Sequence, residues 1–381
     1  MLDESLLDAP DELARADRLG LLRGTAEAGA RVRTALRNTA EAGVGRLAPE
    51  GRPRAVLVAG AGTAASGAAD LIAALAGGAA PVARLRPTGV AAEAGALRWT
   101  LPGWAGPVDL LLIATADGAE PGLAILAEQA YRRGCTVVAV APGQSPLSES
   151  VDGSRGLLVP MAMSPYEQYT EEARANAAGP GAFWALGVPL LALLDRVGLL
   201  TAPAETLQLV ADRLDHTAER CGPAVTTYSN PAKTLAVELA DSLPLIWTEG
   251  VTAAPAGRRF AAVLAELAGH PALAAELPEA LTEHATLLAG DIASGGAADD
   301  FFRDRAEDAG ALRPRAVLLR DRPAGGLTAA PTARELALGH GKAVSELEPE
   351  AGSDLEAFAE LVAVTDFTAV YLTLAGGSGP E

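Results

Sequence analysis

The sequence predicts two α/β units in tandem, each a parallel sheet with helices on both faces. Short β-branched and leucine-rich runs alternate with helical stretches, first in one half of the chain and again in the other. The first such run enters a glycine turn that opens a helix, a strand-loop-helix unit. The 381 residues are 49% hydrophobic and 20% charged, which provides apolar mass for two cores of ordinary size. That composition excludes a disordered chain and a small disulfide scaffold.

Residues 1–48 have helical spacing and stop at Pro49-Glu50-Gly51, which predicts an N-terminal helical segment. A first α/β domain is expected over 49–200. Its strands are read at 54–60 (RAVLVAG), 80–85, 108–115, 135–142 and 155–161, with helical patterns such as GLAILAEQAYRRG between them. The apolar stretch from Ala182 to Leu194 contains Gly187 and Pro189 and is shorter than the roughly 20 residues a bilayer span needs, so it reads as a buried helix. An amphipathic helical linker is expected over 201–224 and a second, smaller α/β domain over 225–381. There the segments 242–250, 280–292, 315–321 and 342–349 supply strands and intervening helices, and FAELVAVTDFTAVYLTLAG closes the chain as a helix.

A formal charge of -18 repels phosphate polymers and anionic lipid, so nucleic-acid and membrane partners are excluded and small molecules or proteins remain. Cys135 and Cys221 stand far apart, without metal-ligand or redox spacing. The acidic, interrupted N-terminus has no basic and apolar leader pattern, and a reducing cytoplasm is the expected location. Lysine occurs only at Lys233 and Lys342, which leaves few candidates for a catalytic lysine.

The turn Gly60-Ala61-Gly62-Thr63-Ala64-Ala65 fits the loose dinucleotide pattern, in which backbone amides meet a pyrophosphate at a helix N-terminus. The acidic ribose partner expected about twenty residues on is replaced by Arg84 and Arg86, so only an NADP-type 2′-phosphate would fit, and that reading is a remote alternative. No GxSxG, HExxH, P-loop or calcium-loop pattern occurs. The polar stretch from Ser164 to Glu172 reads as a connecting loop, and Asp299-Asp300 as a helix cap.

VAGAGTAASGAADLIAAL, LIATADGAEPGLAIL, GPGAFWALGVPLLALLDRVGLL, NPAKTLAVELADSLPLIW, RRFAAVLAELAGHPA (258–272), LPE (277–279) and DFFRDR (300–305) occur in this order. Over about residues 55–377 the chain resembles the bifunctional phosphoglucose/phosphomannose isomerase family. The resemblance implies tandem sugar isomerase (SIS) domains, a homodimer, and interconversion of aldose and ketose 6-phosphates through a cis-enediol(ate) without a cofactor. It implies a phosphate site at two turns, the first with Gly62, Thr63 and Ser66, the second with Thr115, Asp117 and Glu120. It also implies Glu266 as the carboxylate that moves the proton, and it puts Thr282 where the family has its ring-opening histidine, with His284 two residues beyond.

Several positions depart from the family pattern. Asp117 and Glu120 replace hydroxyls, and a carboxylate about 4 Å from a phosphate charge at an effective dielectric of about 20 is repelled by roughly 4 kcal/mol. Unless both point away, phosphate is not held there in the family manner. The family's arginine before the apolar helix is matched by Gly181 in Pro180-Gly181-Ala182, and GGSGPE (376–381) has no lysine where the family has one. Two helical residues span about 200°, so His284 faces away from the Thr282 position. The expected function is a divergent SIS protein that binds a sugar phosphate with weak or lost isomerase activity, as a sensor or scaffold. The alternative is a working aldose-ketose isomerase with Glu266 as base.

Overall fold

The computed structural model describes residues 2–47, 51–91, 93–163, 180–289, 313–321 and 327–376. The expected Ser164–Glu172 loop, the DFFRDR motif and Asp299-Asp300 lie outside them. The chain forms two compact units, a first of residues 18–219 and a second of residues 1–17 with 220–381. The leading helical segment is therefore divided. Helices α1 (Glu4–Leu7) and α2 (Pro10–Ala16) belong to the second unit, where Leu7 and Leu13 are buried and the Asp8 carboxylate accepts from Thr227 N at 2.8 Å and Thr227 Oγ1 at 2.9 Å.

In the first unit, α3 (Leu21–Ala26) and α4 (Ala28–Glu41) precede strand β1 (Val56–Ala59), helix α5 (Gly62–Ala76), β2 (Val82–Arg84) and β3 (Leu110–Ala114). Helix α6 (Pro121–Arg132), β4 (Thr136–Ala141), α7 (Pro146–Gly153), β5 (Leu157–Pro160) and α8 (Pro180–Arg196) follow, and α9 (Ala204–Cys221) ends at the unit boundary. All five strands are parallel in the order β2-β1-β3-β4-β5. Every residue of β1 and β3 is buried, as unbroken apolar runs demand when helices cover both faces. From β1 the chain steps to β2 on one side and then returns to β3 on the other. The point of reversal, where a crevice opens beyond the strand ends, lies between β1 and β3.

The second unit continues with α10 (Pro231–Leu239), β6 (Ser242–Glu249), α11 (Ala253–Ala268), β7 (Leu273–Glu276), α12 (Ala280–Glu283) and α13 (Ala285–Ala289). Strand β8 (Arg313–Arg320), α14 (Ala330–Gly339), β9 (Val344–Leu347) and α15 (Asp354–Ala375) complete it. Its sheet is parallel in the order β7-β6-β8-β9, with the reversal between β6 and β8. Helix α15 is long and apolar enough to cross a membrane, but it is almost wholly buried and packs on α10 and α11. Ser353 and Glu356 close its start as a capping box.

Charged groups inside the second unit are paired. The Arg259 guanidinium of α11 donates to the Asp366 carboxylate of α15, and both side chains are buried. Burial pushes the Asp366 carboxyl up from 3.8 to about 6, against the pull of Arg259. Lys233 donates from Nζ to the carbonyls of Pro223 at 2.8 Å and Val225 at 2.6 Å and lies 5.5 Å from the centre of the Tyr371 ring. This lysine anchors the turn before α10.

Candidate functional site

Strands β1 and β3 run side by side, with Ala59 opposite Ile113, so the turns that follow them lie together at the reversal point. Gly60 is the first residue after β1. A Cβ there would run into the Ala114 carbonyl oxygen, so the close approach of the two strand ends requires glycine. Helix α5 then starts at Gly62, whose φ is +84°. Its N-cap is Ala61, which offers no side-chain acceptor, so the leading amides of α5 have no side-chain cap. Uncapped amides at a helix start carry partial positive charge and suit an anion.

The second turn begins at the buried Thr115. Its hydroxyl accepts from the amides of Asp117 at 3.2 Å and Gly118 at 3.5 Å, which folds the turn back on itself. Gly118 has φ +63°, and a Cβ there would stand 2.7 Å from the Ser145 side chain. Asp117 is exposed, but Glu120 is not. The Glu120 carboxylate turns into the core and accepts the indole N–H of Trp99, and burial, with a smaller contribution from the charge of Asp117, raises its pKa.

Two sequence expectations are corrected here. Glu120 does not contribute its side chain to the crevice, since its carboxylate is the hydrogen-bond partner of Trp99. Of the two carboxylates expected to repel a phosphate, only Asp117 stays at the surface, where at the dielectric of water the cost falls to about 1 kcal/mol at 4 Å. Ser66 donates to Gly62 O at 2.7 Å and accepts from the Arg84 guanidinium at the end of β2. Thr63, half-buried, belongs to the first turn of α5.

The cation missing from position 181 has a neighbour in its place. Arg31 of α4 is buried beside Gly181 at the start of α8, and a Cβ on Gly181 would come 2.6 Å from Arg31 Nε and 2.9 Å from Arg31 Cζ. Glycine at 181 and arginine at 31 fit one another. No property of the isolated α4 sequence marks Arg31, which sits on an ordinary amphipathic helix.

The two catalytic candidates are not brought together. Glu266 is exposed in the last turn of α11, about 20 Å along the helix from its N-terminus at the strand-end edge of the second sheet. His284 is buried after α12, and its Nδ1 accepts the Trp247 indole N–H at 2.9 Å. Burial lowers its pKa, so the ring is held neutral in the core against β6 and is a packing element there, not an exposed acid. Thr282 is exposed, whereas His284 is buried.

The reversal point of the second sheet carries a feature sequence reading passed over. Asp321 is the first residue after β8, and its Oδ2 accepts from Thr252 N at 2.6 Å, Thr252 Oγ1 at 2.6 Å and Ala253 N at 3.2 Å. A carboxylate therefore occupies the N-terminus of α11. Nearby, Glu249 accepts from Thr328 Oγ1 at 2.6 Å, Ala329 N at 2.5 Å and Arg320 Nε at 3.3 Å, which places a second carboxylate at the start of α14. A cleft of about 590 Å³ lined by Gly250, Val251, Leu277 and Thr328 opens beside them.

Residues 228–381 match the family model of the bacterial phospho-glucose isomerase C-terminal SIS domain. None of the curated proteins matches the chain in sequence. Among solved structures, a glucose-6-phosphate isomerase like protein from Thermus thermophilus is 22% identical with a TM-score of 0.50, covering 94% of each chain. A protein provisionally assigned as a phosphosugar isomerase from Silicibacter pomeroyi is 18% identical with a TM-score of 0.61, covering 95% of this chain and 99% of its own. The C-terminal domain of glucosamine-fructose-6-phosphate aminotransferase from Francisella tularensis is 12% identical with a TM-score of 0.58, covering 94% and 96%. At such identities the likeness establishes the fold. Residues 228–381 thus carry the match to the bacterial phospho-glucose isomerase C-terminal SIS family, and over nearly its whole length the chain has the fold of SIS phosphosugar isomerase proteins.

Proposed function

We propose that the chain is a divergent SIS protein that binds a sugar phosphate in the crevice between the β1 and β3 turns, with weak or lost aldose-ketose isomerase activity. It acts as a cytoplasmic sensor or scaffold and as a homodimer of tandem SIS domains. The observation that carries the binding half is the start of α5. Its amides have no side-chain cap at the reversal point, and one of the two expected obstacles, Glu120, is turned to Trp99. Thr115 adds a hydroxyl whose proton has no acceptor among the described residues. The weak-activity half follows from His284, which as a buried neutral partner of Trp247 cannot protonate a ring oxygen without unmaking the core.

A working isomerase with Glu266 as base is the second reading, favoured by the Arg31 guanidinium beside Gly181, which supplies a cation that position 181 lacks. One experiment separates them. Fructose 6-phosphate formation from glucose 6-phosphate and from mannose 6-phosphate is measured by a coupled assay, beside calorimetric titration of both sugars. Binding without turnover is expected. Turnover that disappears in Glu266→Gln supports the second reading, and the absence of both binding and turnover removes the sugar-phosphate reading.

A further inference from the structure

Strand β7 is a margin of the second sheet, paired on one side only. It reads Leu273-Ala274-Ala275-Glu276, without the proline or lysine that commonly blunts an edge, and Leu273 is exposed. Its one charge is already paired, since Arg258 Nη1 donates to Glu276 Oε1 at 2.7 Å. The inner side of the strand is fixed by β6. Leu277 N donates to Thr248 O at 2.8 Å, and alternate residues of a parallel strand bond to the same neighbour, so Leu273 and Ala275 also face β6. The amides and carbonyls of Ala274 and Glu276 therefore point to the free edge, where no described residue is bonded to them.

A groove of about 400 Å³ lies along this strand, lined by Ala274 and Glu276, by Ala254 and Arg258 of α11, and by Glu279 and Glu283 at the two ends of α12. Helix α11 covers the sheet face where Gly257 meets Ile246 and Thr248, and α12 covers the other, where Ala280 packs with Leu245 and Trp247. A groove that touches both helices passes round the free edge of β7. Glu276, Glu279 and Glu283 are exposed, and among the described residues no cation pairs with the last two. We propose that this groove docks an extended basic segment of a partner protein, which adds to the four-stranded sheet beside β7. Main-chain bonds to Ala274 and Glu276 hold it, and arginine or lysine side chains at alternate positions reach Glu279 and Glu283. A second copy of this chain does not suit the same edge. Two-fold pairing of β7 with β7 would set the three glutamates of one copy against those of the other. Charge selects the partner and the strand edge fixes its conformation, independently of any ligand between β1 and β3.

The test uses the full chain and a nine-residue peptide in which arginine alternates with valine, beside the same peptide N-methylated at every backbone amide. Fluorescence anisotropy gives the affinities, and amide NMR gives hydrogen exchange at Ala274 and Glu276. The unmodified peptide slows exchange of those two amides by about tenfold or more, and the methylated one binds about tenfold or more weakly. Ala274→Pro removes one outward donor at an edge position that admits proline. That variant and the double variant Glu279→Lys, Glu283→Lys each weaken binding by about tenfold or more at low salt, with thermal melts to check that both are folded. Equal affinity for the methylated peptide reduces the groove to a charged surface and overturns the proposal, as does unchanged exchange at Ala274 and Glu276. Unaltered affinity in the folded double variant overturns it too. Slow exchange at these amides before any peptide is added means that the chain itself or a second copy covers the edge, and the proposal falls likewise.

Discussion

At the end of β1 an alanine precedes a helix whose first amides lack a side-chain acceptor, whereas at the end of β6 the carboxylate of Asp321 already accepts from the equivalent amides. Helix α6 likewise starts without a side-chain cap, and α14 starts on Glu249. Inside, both units bury charge, the first in Asp109 paired with Arg54 and in Glu120 bonded to Trp99, the second in the Arg259–Asp366 pair and in Lys233 bonded to two carbonyls. Two copies of one strand-turn-helix plan thus diverge in where their polar groups are satisfied. In one copy a side-chain carboxylate stands at the start of the helix after the first strand, and in the other no side chain caps it.

The largest effect is expected where the buried ion pair of the second unit is broken. Arg259→Met leaves Asp366 buried without its cation and should cost about 3–5 kcal/mol in urea unfolding. A loss below about 1 kcal/mol would mean the pair is not structural. The same pair sets a pH signature. Asp366 keeps its proton in the folded state up to about 6, against 3.8 as its ordinary value. Between those limits the folded state binds more protons than the unfolded chain, so this residue's contribution to stability falls as pH rises from about 4 to about 6 and is flat above. The melting-temperature difference between wild type and Asp366→Asn should follow that course, and a constant difference across the range would refute it.

The next effect tests the open unit. Gly60→Ala drives a methyl against the Ala114 carbonyl and to 2.8 Å from the Ala65 Cβ, and backbone must shift to admit it. A stability loss of about 1–3 kcal/mol is expected, together with loss of phosphate binding, because the turn that aims the α5 amides is displaced. Retained binding at wild-type affinity would separate the crevice from this turn.

Much of the framework is legible from the residues, because buried parallel strands are unbroken apolar runs and helices repeat with their own period. The runs at 54–60, 108–115, 135–142, 242–250 and 315–321 contain β1, β3, β4, β6 and most of β8. Strand β7 escaped because Leu273–Glu276 is an alanine-rich edge strand, partly exposed, with little hydrophobic signal. The segment from 280 was read among strands and helices, and its described part is helical. Site residues are less legible, since their roles depend on where a side chain turns. Glu120 and Asp117 look alike as letters, yet one faces Trp99 and the other faces solvent. Asp321 is a lone aspartate after a strand, and Arg31 one arginine among several on a helix. Only the folded neighbours Thr252 and Gly181 give these two their significance.

The smallest effects come from those two carboxylates of the second turn, and they sharpen the comparison most. In Glu120→Gln the side-chain oxygen can still accept the Trp99 indole N–H, while a carboxylate that burial disfavours is removed. Stability should change by no more than about 1 kcal/mol, and phosphate affinity by less than about threefold, because the group does not face the crevice. Asp117→Asn should instead raise phosphate affinity by up to about fivefold at low salt, the worth of about 1 kcal/mol of repulsion, with the gain fading as ionic strength shortens the range of the charge. Calorimetric titrations of both variants at two salt concentrations distinguish them. A tenfold gain in Glu120→Gln would place its carboxylate in the crevice after all. The first unit would then carry an inhibitory acid of its own, and its difference from the Asp321-filled second unit would narrow to one of degree.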